Sequence, residues 1–160
     1  MFTTKNDISP AARTKVVELL NARLADAIDL QTQLKQAHWN VKGPDFIGLH
    51  KLFDEINEQV EEYVDEIAER AVALGGVVDG TARMVASRTQ LPEYPGNIAE
   101  GRKHVEAVAT ALASFGKLAR KAIDQSNELQ DADTADLFTD VSRGIDKSLW
   151  FVEAHLQAEK

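Results

Sequence analysis

The residues best suited to chemistry lie on one stretch, His50 to Glu69. His50 and Asp54 are four apart, and so are Asp65 and Glu69. On a helix each pair therefore occupies one face. At about 100° per residue the two pairs share nearly the same angle, but they stand about 16 Å apart along the axis. Within one chain they cannot hold one ion. Both pairings, His50 with Glu69 and Asp54 with Asp65, are however symmetric about positions 59 and 60. Two copies packed antiparallel about a two-fold axis there would set His50 against Glu69 of the partner subunit, and Asp54 against Asp65 of the partner subunit. Isologous contacts of this kind are the commonest in homo-oligomers. The product is two equivalent sites of imidazole and carboxylate, a donor mix that suits Fe(II) and admits Zn(II) or Mn(II).

The same stretch is acidic throughout. Asp54, Glu55, Glu58, Glu61, Glu62, Asp65, Glu66 and Glu69 form one stripe, with only Lys51 and Arg70 as cations. Like charges at helical spacing repel unless something offsets them. A solvated acidic face is the plain alternative to a cation site. The opposite arc, Leu49, Leu52, Phe53, Ile56, Val60, Tyr63, Val64, Ile67, Ala71 and Leu74, is the core face. The stripe therefore points away from the chain's own core. A bundle-core di-iron site would need Glu-x-x-His pairs, and the sequence contains none.

The elements that must carry these residues are helices. Ser9-Pro10 is an N-cap followed by proline at the first helical position. The helical pattern runs from there to about Trp39, with Val16, Leu19, Leu20, Leu24, Ala27, Ile28 and Ala37 on one side. Lys42-Gly43-Pro44-Asp45 stops it and caps a second helix from about Phe46 to Leu74, closed by Gly75-Gly76. A connection of roughly twenty residues follows, with Gly80, Pro92, Pro95 and Gly96, and Thr81 to Ala86 forms a short helix within it. Asn97-Ile98-Ala99-Glu100 resembles a capping box and opens a third long helix to about Ser126. Asn127 to Asp133 is a polar turn, and a fourth helix runs from Thr134 to about Gln157. Four helices of this length make a four-helix bundle. The short links make antiparallel pairs, and the long middle link makes helices two and three parallel. A coiled-coil oligomer is the plainer alternative, disfavoured by the turn chemistry between helices.

Composition agrees. The chain has 160 residues, 44% hydrophobic and 28% charged, enough for one domain spanning 1–160, with 1–8 as a short N-terminal tail. There is no cysteine, which excludes disulfides and thiolate sites. The net charge of −8 suits cations rather than nucleic acid or anionic membrane. Neither a secretory signal nor a membrane span is legible, so the expected location is the cytoplasm.

Certain runs are more specific. Gln36-Ala37-His38-Trp39-Asn40, Phe46-Ile47 to His50, Asp54, and Ala68-Glu69-Arg70-Ala71 through Leu74-Gly75-Gly76 resemble the Dps family, the starved-cell DNA-protection proteins or miniferritins. The likeness continues through Tyr94-Pro95, Arg120 to Ile123, Asp133 to Asp136, Ser142-Arg143, Asp146-Lys147, Leu149 to Phe151 and Glu153, covering about residues 6 to 157. The resemblance implies an all-α, ferritin-like four-helix bundle with a short extra helix between helices 2 and 3. It implies a hollow homo-dodecamer with a ferroxidase site at each two-fold interface. The family's ligands match His38, His50 and Asp54 from one subunit and Asp65 and Glu69 from the other. His38 enters only through this resemblance. In the family Fe(II) is oxidised preferentially by hydrogen peroxide, with oxygen as the other oxidant, and ferric mineral is stored inside. Hard carboxylate oxygen makes Asp54 and Glu69 the main iron ligands, with Asp65 and the two histidines at a second metal or its water. Zn2+ is a competitor for the same site.

The resemblance also assigns lesser roles. Trp39 would be an electron or radical neighbour of the iron, with core packing as the equal alternative. Asp131, Asp136 and Asp140 would line a three-fold pore for iron, with helix capping as the alternative. Glu55, Glu58 and Glu62 would nucleate mineral. Trp150 reads as core, and His104 and His155 as surface or structural. DNA binding is expected to be weak or absent. Members that bind DNA often carry a Lys/Arg-rich extension, whereas here Lys5 stands beside Asp7 and Lys160 beside Glu159, and twelve copies would sum to about −96. The alternatives are a nucleoid-associated DNA-binding protein with iron oxidation secondary, and a non-catalytic structural or metal-buffering shell.

Overall fold

The computed structural model describes residues 1–158. Its elements are α1 (Pro10–Asn40), α2 (Phe46–Ala73), α3 (Ala82–Arg88), α4 (Gly101–Glu128) and α5 (Ala132–Glu153), with no strand among the described residues. Ser9 caps α1, its Oγ accepting from Ala12 N at 3.2 Å, with Pro10 in the first turn. Val41 turns extended and Gly43 takes φ 120°, which reverses the chain into α2. α2 closes at Gly75, φ 84°, whose N–H donates to Val72 O while Gly76 N donates to Ala71 O. A Cβ on Gly76 would lie 2.5 Å from Val17 Cγ1, so glycine lets α1 and α2 meet there.

Backbone hydrogen bonds fix the topology. Phe2 N donates to Gly75 O at 2.6 Å, and Arg13 donates to Leu74 O at 3.0 Å, so the end of α2 lies beside the start of α1. Lys42 N donates to Ala99 O at 2.8 Å and Gly101 N donates to Lys42 O at 3.0 Å, so α4 starts where α1 ends. The long connection thus climbs the whole bundle, and α4 runs parallel to α2. Side chains of α1 hold it on the way. Asn21 bonds Val77 O and Asp79 N, Asp26 accepts from Gln90 N, Asp29 accepts from Thr89 Oγ1, and Gln33 donates to Pro92 O.

The core fills the space between these helices. Leu20, Leu24, Leu30 and Leu34 of α1, Phe53 and Ile67 of α2, Leu112 and Phe115 of α4, and Phe138 and Ile145 of α5 are fully buried. On α2 the predicted arc is the one that packs, with Leu52 and Val64 at its partly buried edge.

Several local expectations change. Asn97 takes φ 59° and α4 begins only at Gly101, with no side-chain bond at Glu100, so no capping box forms; the backbone bridge to Lys42 fixes the start instead. α4 continues to Glu128, and the polar turn shrinks to a few residues around Gln130, φ 60°. α5 starts at Ala132 and ends at Glu153, short of Gln157. Trp150 is 60% exposed rather than core, because Val152 and Ser148 take the buried side of that turn. Residues 1–8 are tied down through Phe2, and through Ile8, whose carbonyl accepts from Arg13 Nε. Glu159 and Lys160 lie outside the described residues.

Candidate metal centre

The turn at residues 41–45 brings the last turn of α1 against the first turns of α2. His38 Nδ1 lies 2.7 Å from His50 O, and His50 Nδ1 lies 2.8 Å from His38 O. A carbonyl oxygen only accepts, so both Nδ1 atoms carry a proton, and Nε2 is the nitrogen of each ring left for a metal. The backbone thus sets the tautomer that a metal ligand needs. The rings stack with centroids 3.7 Å apart at 20°, and Phe46 packs on His50 with centroids 5.1 Å apart.

Asp54 follows one turn later on α2. Its Oδ1 accepts from Lys35 Nζ at 2.6 Å and stands 3.9 Å from His38 Nδ1. The Lys35 hydrogen bond holds the Asp54 carboxyl below its usual range against the opposing penalty of burial, helped by the charge of Lys35 and by that of either imidazole when protonated. Asp54 is therefore ionised at neutral pH, the form that binds a cation. Sequence reasoning missed Lys35. Its signal is its position three residues before His38 on α1, which places both on the face that α2 covers.

Asp65 and Glu69 are exposed on the same helix, about three turns further on, and make no hydrogen bond or ion pair among the described residues. Within one chain the described residues place no three metal donors where they could hold one ion. The fold brings His38, His50 and Asp54 together and leaves Asp65 and Glu69 apart. Iron would meet two imidazole nitrogens and hard carboxylate oxygens here, a set that fits it.

The remaining candidates divide. Asp131 is 1% exposed, so it is not a free pore charge of this chain. Its Oδ1 accepts from Arg70 at 2.7 Å and from Thr134 N at 3.1 Å, and its Oδ2 accepts from Thr134 Oγ1 at 2.6 Å. It caps α5 and pairs with Arg70. Asp136 and Asp140 are exposed, and Asp140 accepts from Arg143 at 3.0 Å. Glu55, Glu58 and Glu62 are exposed on α2. Nearby Glu66 is pushed up, first by burial and then by Asp140, Glu62 and Asp65, which marks a crowded field of negative charge. Trp39 is 67% exposed at the end of α1, so it does not pack in this chain's core. His155 is exposed, whereas His104 is 1% exposed and bonded to Tyr94.

Known proteins share this fold. The ferritin-like domain family matches residues 17–160. The DNA protection during starvation protein of Agrobacterium fabrum is 47% identical over 154 residues, 96% of this chain and 95% of that protein. The solved Dps structure of Mycobacterium smegmatis, tetragonal form, superposes with a TM-score of 0.93 at 32% identity, covering 99% of this chain and 95% of that one. Dps from Microbacterium arborescens in its high iron form gives a TM-score of 0.89 at 30% identity, covering 99% of this chain and all of the other (100%).

Proposed function

Since the chain belongs to the ferritin-like domain family, alongside relatives named as Dps proteins, we propose that it is an iron-storing, iron-detoxifying ferroxidase. Fe(II) is its substrate. The observation that carries the reading is the reciprocal His38–His50 pair, whose Nδ1 atoms are taken up by backbone carbonyls, with the ionised Asp54 one turn along α2. The chain supplies half a site at each end of the acidic stripe. Antiparallel pairing of two copies of α2 joins His38, His50 and Asp54 of one subunit to Asp65 and Glu69 of the other.

Each group has a physical task. Asp54 and Glu69 hold the iron and stabilise Fe(III) over Fe(II), because anionic oxygen prefers the higher charge. Asp65 and the two imidazoles hold a second metal or its water. Hydrogen peroxide is the preferred oxidant and oxygen the slower one. Zn2+ competes for the same donors. Twelve copies enclose a cavity in which ferric mineral accumulates, nucleated on Glu55, Glu58 and Glu62. Asp136 and Asp140 line the three-fold pore through which iron enters, and Asp131 stiffens its wall through Arg70. The protein works in the cytoplasm, removing both reagents of hydroxyl-radical chemistry. Its −8 charge per chain and its tied-down N-terminal segment leave DNA binding weak.

The test is stopped-flow Fe(II) oxidation on the metal-free assembly, comparing peroxide with dissolved oxygen. The expected result is fast turnover with peroxide that falls by about 100-fold or more in Asp54→Ala/Glu69→Ala, by analogy with the larger effects of losing metal-binding groups. Rates no faster than buffer, or equal rates in that variant, would overturn the assignment.

A further inference from the structure

The bundle buries one imidazole that the iron site does not use. His104 on α4 is 1% exposed, and its Nδ1 lies 2.5 Å from the Tyr94 hydroxyl of the long connection. Its Nε2 is enclosed and makes no directed hydrogen bond, and the carbonyls of Ile98 and Asn40 stand beside the ring. Burial pushes the imidazole down, with both carbonyls acting the other way, and burial pushes the Tyr94 phenol up. The ground state is therefore a neutral phenol donating to a neutral imidazole, with the imidazole proton on Nε2. Tyr94 also lines an open cleft of about 640 Å³ together with Trp39, the exposed indole that follows ligand His38.

We propose that Tyr94 and His104 form a redox-active pair that receives oxidising equivalents reaching Trp39. The chemistry follows from the hydrogen bond. A phenol that loses an electron becomes a strong acid, and it gives up its proton wherever an acceptor already stands. A hydroxyl radical formed when peroxide meets surplus Fe(II) takes one electron from the Trp39 indole and leaves as hydroxide. The indole radical cation is refilled by one electron from Tyr94. The phenol proton passes to His104 Nδ1. The products are hydroxide, intact Trp39, a neutral Tyr94 phenoxyl radical and a His104 imidazolium whose new charge faces the Ile98 and Asn40 carbonyls. The hole thus moves from an indole beside the metal donors to a phenol anchored under α4. The inference rests on the ferroxidase reading only for the source of the oxidant.

The pair is therefore tested without iron. Azidyl radical, generated by pulse radiolysis, oxidises tryptophan in the intact metal-free assembly carrying Trp150→Phe, which leaves Trp39 as the sole indole. The expected result is first-order conversion of the indolyl band to a phenoxyl band, at a rate independent of protein concentration. The conversion should be lost in Tyr94→Phe and slowed at least about twofold in deuterium oxide. An indolyl radical that decays without phenoxyl growth would overturn the proposal, as would phenoxyl growth that persists in Tyr94→Phe or shows no isotope effect. Stopped-flow Fe(II) oxidation by Tyr94→Phe should match the parent. A parent inactive toward iron would overturn the ferroxidase reading alone, since the radiolysis result does not depend on it.

Discussion

At Asp54 one carboxylate oxygen is already committed. Lys35 holds it at 2.6 Å, so an incoming cation must displace an ammonium or settle for the other oxygen. The pair is partly exposed, and such pairs are worth about 0.2–1 kcal/mol. Replacing Lys35 with Met should therefore tighten Co2+ or Zn2+ binding roughly two- to fivefold, read by calorimetry on the metal-free assembly. Weaker binding in Lys35→Met would show that the lysine organises the site instead of competing for it. Asp131 offers a second contrast. Asp131→Ala removes a helix cap and one partner of the Arg70 ion pair and should cost about 2–4 kcal/mol in thermal or denaturant unfolding. Asp136→Asn should leave stability unchanged and slow iron uptake into the shell. Equal stability of parent and Asp131→Ala would refute the capping role. The charge pattern around Asp131 was legible in the sequence, but the arginine that consumes it lies 61 residues away, beyond any local signal. His50, Asp54, Asp65 and Glu69 were legible because one helix carries all four. Lys35 was not, because its partner lies across a turn.

At the scale of elements, the helices and their order were readable from glycine, proline and apolar spacing, and the parallel run of α2 and α4 followed from the length of one connection. The ends were less readable wherever backbone rather than side chain fixes them. The start of α4 is set by Lys42 bonding Ala99 and Gly101, a contact that no capping pattern encodes. His104 belongs to this scale, since it joins α4 to the connection. Its burial lowers the pKa in the folded chain below the ordinary value of about 6.5. The unfolded chain therefore takes up a proton first as pH falls. Stability from this group is complete above about pH 6.5 and is lost progressively below it. The unfolding midpoint of the parent should thus drop more between about pH 7.5 and pH 5.5 than that of His104→Gln. An identical drop in both proteins would show that His104 does not sense pH.

For the whole molecule, the sequence feature behind the proposed shared site is a symmetry: pairs of donors balanced about positions 59 and 60. The exposure of Trp150, Phe151 and Ile47 was not legible, because exposure is a property of the fold and not of residue type. The long connection looked from its sequence like a loop, yet α1 grips it at Asn21, Asp26, Asp29 and Gln33. Amide hydrogen exchange should report the difference. Asp79 and Gln90 lie outside every helix, but their N–H groups end on side chains of α1. Their exchange should be slow, and Asp26→Ala should release Gln90 while leaving Asp79 protected. A Gln90 amide that exchanges within seconds in the parent would mean that the grip is transient. Where the grip holds, connection and first helix open together as one cooperative unit, and a protease that finds the prolines of this strap exposed will still find its backbone closed.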